Sequence, residues 1–320
     1  MKVLLTGASG FVGKGLTECL NLTDNDVELT CGVRKERNLS RYKDVVVGEL
    51  NGLTNWHEAV RCQDIVIHTA ARAHVMNDNE LEPLSEYRKV NVEGTLNLAK
   101  QSINAGVRRF IFISSVKVNG EVTRAGSPFT FNDTPAPEDA YGLSKLEAEN
   151  ALKILAAQTD MEVIIVRAPL VYGRGAKGNF KALMGLAKKN VPLPFGAVKN
   201  KRSLVSLENL VSLIITCVKH PQPLNETFLV SDDHDVSTRE LFETLTRAYG
   251  KKPKLWPCPV GLMRFGATIL GKKAIADRLF GNLQVDITHT KKTLNWEPPV
   301  SFQQAMQTCI KHELNSSNNP

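Results

Sequence analysis

Met1-Lys2-Val3-Leu4-Leu5-Thr6-Gly7-Ala8-Ser9-Gly10-Phe11-Val12-Gly13 is the stretch that decides the fold. A short apolar run ends at Thr6, glycines stand at positions 7, 10 and 13, and an apolar-periodic segment covers residues 11–20. Strand, tight glycine turn and helix in that order make the opening unit of a βαβ pattern. Glycine lets the backbone turn sharply and approach a pyrophosphate, whose charge is favoured at a helix N-terminus. The spacing alone is a weak signal; its place at the start of an alternating pattern makes it specific.

Outward from this unit, strand candidates follow at residues 27–33, Val45-Val46-Val47, Ile65-Val66-Ile67, 110–113 and 163–166. Helix-length segments lie between most of them, at 11–20, 85–105 and 141–157. Such alternation signals a parallel sheet covered by helices on both faces, and uninterrupted apolar strands agree with that. After about Pro169 glycine and proline become frequent, as in Pro192-Leu193-Pro194-Phe195-Gly196, and Ser237-Thr238-Arg239-Glu240 has the form of a capping box. The expected fold is α/β, a doubly wound (Rossmann) parallel sheet over residues 1–168. A smaller mixed α/β substrate lobe is expected over 169–320, with the chain near 203–230 returning to the first domain. Ligands of open α/β sheets lie beyond the carboxyl ends of the strands, so the lobe should roof that edge.

The end of the second strand bears on the cofactor. A carboxylate there would bond the adenosine ribose and repel a 2′-phosphate. The chain instead reads Cys31-Gly32-Val33-Arg34-Lys35-Glu36-Arg37, so cations come first. This favours NADP(H), with NAD(H) the other possibility.

Tyr141-Gly142-Leu143-Ser144-Lys145 begins a helix behind Pro135 and Pro137. Residues four apart share a helical face, so phenol and ammonium can point together at a nicotinamide ribose. The ammonium is expected to draw the tyrosine pKa down from about 10, making Tyr141 a general acid or base for carbonyl/alcohol interconversion. Ser115 closes the strand 110–113, where its hydroxyl can reach the same oxygen. Asn91 falls within the preceding helix, where its amide could hold a proton relay to Lys145.

The ordered set Gly7-x-x-Gly10-x-x-Gly13, residues 64–71 (Asp-Ile-Val-Ile-His-Thr-Ala-Ala), Asn91-Val92-Glu93-Gly94-Thr95, Ser114-Ser115, Tyr141-Gly142-Leu143-Ser144-Lys145 and Arg167-Ala168-Pro169-Leu170-Val171-Tyr172-Gly173 resembles the extended short-chain dehydrogenase/reductase family, of the NAD-dependent epimerase/dehydratase type. The likeness runs from residue 1 to about Trp296. It implies Ser115, Tyr141 and Lys145 as the catalytic set with Asn91 in support. For the dinucleotide it implies Gly7, Ser9, Gly10, Phe11, Val12 and Gly13, then Arg34, Lys35, Glu49 and Leu50, and finally Ala70, Ala71, Tyr141, Lys145 and Pro169. Glu49 stands where the family usually has Asp near the adenine. Asn179 and Arg202 match positions that hold nucleotide-sugar phosphates, and Arg278 is a second candidate. Arg72 and His74, together with Ser115, are expected to line the sugar pocket.

Family members that dehydrate sugars resemble one another in carrying Thr-Asp-Glu where Ser115-Val116-Lys117 stands, so dehydration is disfavoured. Reduction and epimerisation at C4 share the remaining machinery. Arg34 and Lys35, and Asn119 where many epimerases show Tyr, resemble reductases of UDP-4-keto-6-deoxy-N-acetylhexosamines in polysaccharide biosynthesis. The expectation is such a 4-ketoreductase, with a nucleotide-sugar 4-epimerase as the alternative. A non-catalytic NADP(H) sensor is disfavoured because both Tyr141 and Lys145 are present.

Composition limits the rest. The chain of 320 residues is 42% hydrophobic and 23% charged, ordinary for a globular protein. No apolar run approaches the roughly 18 residues of a membrane span. The best candidate, 261–270, carries Arg264 and reads as an amphipathic helix. The apolar run after Lys2 ends too soon for a signal peptide, and six scattered cysteines form no C-x-x-C pair. A cytoplasmic enzyme without a metal site is expected. The net charge of +7 comes in dispersed pairs such as Lys251-Lys252 and Lys272-Lys273, without the aromatic interleaving of a nucleic-acid stripe. The expected partner is a nucleotide sugar, with the chain a monomer or a homodimer through the helices starting near Ser85 and Tyr141.

Overall fold

The computed structural model describes residues 1–23, 27–36, 42–72, 82–176 and 178–318. β1 (Lys2–Thr6) runs into α1 (Phe11–Thr23), followed by β2 (Glu28–Val33), β3 (Lys43–Val46), the one-turn α2 (His57–Val60) and β4 (Ile65–His68). α3 (Pro83–Tyr87) passes through a π-helical turn (Arg88–Glu93) into α4 (Gly94–Asn104), and β5 (Arg109–Ser115), α5 (Ala140–Gln158) and β6 (Glu162–Ala168) come next. Beyond them lie β7 (Leu170–Tyr172), α6 (Asn179–Lys189), β8 (Arg202–Ser206), α7 (Leu207–Lys219), β9 (Thr227–Leu229) and β10 (Asp235–Val236). The chain closes with α8 (Thr238–Ala248), α9 (Val260–Ile269), α10 (Lys273–Phe280), α11 (Thr288–Leu294) and α12 (Phe302–Asn318).

Among the described residues, seven strands make one parallel sheet in the order β3-β2-β1-β4-β5-β6-β9, and β10-β8-β7 make a second, smaller sheet. Alternate residues of a strand face opposite sides. Val3 and Leu5 therefore pack with Leu16 of α1 and with Leu210 and Ile214 of α7. Leu4 between them packs on the other face with Trp56, Leu98, Ala148 and Leu152. Each such side chain, once fully buried, contributes about 1.5–3 kcal/mol relative to exposure. That explains why the strands read as unbroken apolar runs. The lobe has its own core, with Tyr172, Phe180, Phe242, Phe302 and Met306 in contact.

Buried Arg109 explains why the chain returns to the main sheet after β8. Its guanidinium pairs with Glu162 at 2.6 Å and donates to the carbonyls of Cys217 and His220 at 2.8 and 2.9 Å. These carbonyls lie at the end of α7, where the last turn of a helix leaves acceptors unpaired.

Two elements differ from the sequence expectation. The helix expected over 85–105 is broken by the π-helical turn at Arg88–Glu93, a feature of functional sites in many helices. The capping box at α8 is only half formed. Ser237 Oγ accepts from Glu240 N at 3.0 Å, but the Glu240 carboxylate meets His234 at 2.8 Å.

The sheet order reverses between β1 and β4, and the crevice beyond their carboxyl ends is the expected ligand position. His68 ties the two strands to α4. Its Nδ1 lies 2.7 Å from Thr6 Oγ1 and its Nε2 3.0 Å from Thr95 Oγ1. Burial, with Lys145 nearby, holds the imidazole pKa down at about 3, so His68 is a neutral structural bridge at working pH.

Candidate active site

The crevice opens into a cleft of about 750 Å³, lined by residues 6–10, 32–35, Glu49, Leu50, 69–72 and Val90. Gly7 has φ +73°, and a Cβ there would stand 2.6 Å from Thr69 Oγ1 and 2.7 Å from Ala70 N. A Cβ on Gly13 would stand 2.2 Å from Gly7 O. Both glycines are thus required by close approach of backbone to backbone. Gly10 N donates to Gly7 O at 2.8 Å, which tightens the turn and leaves the N-terminus of α1 facing the cleft. Phe11 and Val12 pack their side chains into the core beneath. A backbone-walled cleft with a helix N-terminus at its floor fits a dinucleotide pyrophosphate. Ser9, Leu50, Ala70 and Ala71 line it, and buried Pro169 follows β6 at the same sheet edge.

At the outer end of this cleft, Arg34 and Lys35 follow the last residue of β2, as the sequence indicated. Arg34 does not stand there as a free cation. Its Nη1 lies 3.8 Å from Glu49 Oε2, so the carboxylate expected near the adenine stands beside the cations that follow β2.

The candidate catalytic side chains lie where β5 and α5 meet. Ser114 and Ser115 point to opposite sides of their strand. Ser114 Oγ donates to buried Glu149 at 2.5 Å, while Ser115 Oγ accepts from Lys117 N at 3.2 Å and caps the turn at Val116–Val118. Asp139 is the N-cap of α5, its Oδ1 accepting from Gly142 N at 2.7 Å, and this sets Tyr141 in the first turn. The Lys117 ammonium joins the assembly to β5 by pairing with Asp139 and, at 2.6 Å, with Glu121.

Lys145 lies one turn after Tyr141, its Nζ 3.9 Å from the centroid of the Phe112 ring. Burial lowers the Lys145 pKa to about 7, against an opposing pull from Glu149. The expected depression of the tyrosine pKa is corrected by the structure. Burial, then Asp139 and Tyr87, push Tyr141 up to about 12. The reason is desolvation, which disfavours charge on the buried phenol, reinforced by the neighbouring Asp139 carboxylate.

Asn91 is buried beside α5. Its Oδ1 accepts from Arg72 N at 2.9 Å, and its Nδ2 donates to Ser144 Oγ at 3.0 Å and Arg72 O at 3.2 Å. The amide thereby holds the loop after β4 against α5. The π-helical turn at Arg88–Glu93 carries Asn91 to this position. The Arg72 guanidinium lies 5.5 Å from the Tyr87 ring centroid, and Tyr87 meets Tyr141 edge-on at 6.0 Å.

A second charged cluster is assembled from distant segments. Partly buried Arg202, at the start of β8, donates to Gly281 O at 3.3 Å. Burial, opposed by Glu121 and aided by Arg278, lowers its pKa from the usual guanidinium value, so these three charges lie close together. The loop after β5 is stitched to the lobe: Thr123 N donates to Asn282 O at 3.0 Å and Phe129 N to Gln284 O at 2.8 Å. Two neighbouring guanidiniums suit a diphosphate, being permanently charged and multidentate. Asn179 opens α6, but its side chain, like His74, lies outside the described residues.

Sequence reasoning missed Glu149, Arg167 and Tyr87. Glu149 is fully buried and pairs with Arg167 at 2.6 Å, and Arg167 reaches Asn119 at 3.1 Å. The signal for Glu149 was its position four residues beyond Lys145; for Tyr87 it was the same interval before Asn91.

The fold and cleft define a dinucleotide-binding enzyme of the short-chain dehydrogenase/reductase type. A profile of the NAD dependent epimerase/dehydratase family matches residues 3–230, and the chain belongs to that family. It is 49% identical to a UDP-glucose 4-epimerase of Vibrio cholerae over 317 residues, covering 99% of this chain and 96% of that protein. In structure it is similar to the UDP-glucose 4-epimerase of Thermotoga maritima, solved with UDP-glucose, at a TM-score of 0.77 and 22% identity over 99% and 100% of the two chains. It is likewise similar to the UDP-N-acetylglucosamine 4-epimerase of Bacillus cereus, at a TM-score of 0.79 and 18% identity over 97% and 98%. The near-full-length relative at 49% identity overturns the expectation of a 4-ketoreductase. Of the residues that resemble the reductases, Arg34 lies 3.8 Å from the Glu49 carboxylate and Asn119 accepts a hydrogen bond from buried Arg167.

Proposed function

We propose that this enzyme interconverts C4 epimers of a UDP-hexose, in the manner of a UDP-glucose 4-epimerase. What supports the reading is that Tyr141 and Lys145 stand one turn apart on α5 and Ser115 ends β5, while Tyr141 meets Tyr87 edge-on and Tyr87 lies against Arg72 of the cleft wall. In this reading Ser115 Oγ bonds the C4 oxygen and Tyr141 takes its proton, later returning it. The bound nicotinamide supplies reversible hydride acceptance at C4. Lys145, when charged, offsets the cost of a tyrosinate that burial otherwise disfavours. Because the phenol loses and regains one proton, the residues end each turnover as they began.

Arg202 and Arg278 hold the diphosphate in this proposal, and Glu121 orients Arg202. Asn91 positions Ser144 and the β4 loop without touching substrate. For the cofactor, Glu49 at 3.8 Å from Arg34 adds a negative charge that a 2′-phosphate would have to displace, which supports NAD(H) as the resident dinucleotide. Arg34→Ala should then leave NAD(H) affinity within a few-fold, and NADP(H) should bind more weakly than NAD(H) to the parent. Six free cysteines suit the reducing cytoplasm expected from the sequence.

The deciding assay mixes purified protein with UDP-glucose or UDP-N-acetylglucosamine and follows the C4 epimer by chromatography without added dinucleotide. Conversion in both directions is the expected result. Absence of conversion with cofactor bound would reject the reading.

A further inference from the structure

We infer that the α9–α10 hairpin is a docking surface for an anionic lipid bilayer. This inference stands apart from the proposed chemistry. A surface helix ordinarily turns its apolar stripe to the core. α9 contains no buried residue along its whole length. Val260 and Met263 pack partly against the lobe core, but Leu262, Phe265 and Ile269 are 64%, 67% and 69% exposed. Their spacing of three and four residues puts them on one side of the helix. Leu270 and Ile275, 72% and 54% exposed, extend the patch toward α10. Trp256, 51% exposed, precedes the helix.

Charge identifies the occupant. Residues 251–276 contain six lysines and arginines and no aspartate or glutamate. The net charge of the entire chain is +7, so this hairpin and its approach carry nearly all of it. Among the described residues, only Arg264 of the six pairs with a carboxylate, Asp277 at 2.5 Å. Lys272 and Lys273, just after Leu270 at the turn into α10, are exposed, as are Lys251, Lys252 and Lys254 on the approach to α9. Protruding Leu, Phe and Ile beside lysines, with a tryptophan at the margin, match the chemistry of a helix lying in an anionic membrane interface. A second copy of the chain fits poorly, because a two-fold contact would set cations against the same cations. α10 also carries Arg278, near Arg202, so docking would bring the sugar-nucleotide end of the cleft beside the lipid surface.

The test uses the whole chain and co-sedimentation with vesicles of pure phosphatidylcholine or of phosphatidylcholine with phosphatidylglycerol. Binding to the anionic vesicles should exceed binding to the neutral ones at least ~10-fold at low salt and weaken on adding salt. Phe265→Asp and the double variant K272E/K273E should each reduce it ~10-fold or more. Leu53→Asp, at a position 94% exposed elsewhere, should not change it. Unaltered thermal midpoints establish that the exposed-site variants are folded. Equal binding to both vesicle types, no binding, or insensitivity to Phe265→Asp would overturn the inference. So would a concentration-dependent dimer that Phe265→Asp abolishes, because the patch would then serve a second copy.

Discussion

The two ends of the cleft are made in different ways. The dinucleotide end is built by backbone: Gly7 and Gly13 sit where any Cβ would collide within 2.7 Å, and its walls come from turns directly following β1, β2 and β4. The end proposed for the sugar nucleotide depends instead on side chains carried from far apart: Glu121 and Arg278 act electrostatically on Arg202, and the loop after β5 is bonded to residues 282 and 284. One end is specified by local geometry that tolerates no added atom. The other is specified by charges whose positions depend on how the lobe packs.

The largest expected effect falls where the ends meet. Tyr141→Phe should lower kcat about 10³-fold while dinucleotide binding, measured by fluorescence, stays close to the parent. A variant retaining more than a tenth of the activity would remove Tyr141 from the chemistry. Next, Gly13→Ala should weaken dinucleotide binding about 100-fold, because its Cβ meets the Gly7 carbonyl at 2.2 Å and the turn must open. Sugar-nucleotide binding measured by calorimetry should change much less, and equal losses would erase the contrast between the ends. Arg202→Ala tests the other end, with an expected rise in KM of about 10-fold and a small change in kcat. A fall confined to kcat would place Arg202 at the reacting carbon instead.

The smallest effect is a pH dependence. With Lys145 at about 7 and Tyr141 at about 12, the form that has lost one proton from the pair predominates between those values. Activity should therefore rise with pH to a plateau above about 7, and Lys145→Met should remove that step from the profile of the residual activity. Stability follows the same group with its own sign. The unfolded lysine titrates near 10.5 and the folded one near 7, so the unfolded chain binds more protons between them. The penalty of burying Lys145 is complete below about 7 and fades toward 10.5. Lys145→Met should raise the thermal midpoint at pH 7, and the difference should shrink by pH 10.

Much of this was legible in the sequence where the determinants are local. The glycine spacing of Gly7, Gly10 and Gly13 and the four-residue interval from Tyr141 to Lys145 follow from turn and helix geometry, which the chain carries wherever it folds. The interval continued to Glu149, but a buried glutamate is not distinguishable from a surface one until its partners are known. Arg167 and Ser114, which hold it, come from two neighbouring strands. Asn91 was recognisable as a site residue, yet its hydrogen bonds run to Arg72 and Ser144 because a π-helical turn reorients it. The helix at 261–270 was readable as amphipathic; that its apolar side faces outward was not.

By itself the sequence determined the parallel α/β architecture and the dinucleotide turn, because each rests on periodicity or spacing within a few turns of chain, and it indicated the family through an ordered set of motifs that resembles it. Only the tertiary structure decided the protonation of the Tyr141/Lys145 pair, the pairing of Arg34 with Glu49 and the outward face of α9. Those depend on how much water each group loses and which distant charge it meets, and neither quantity exists until the chain has packed.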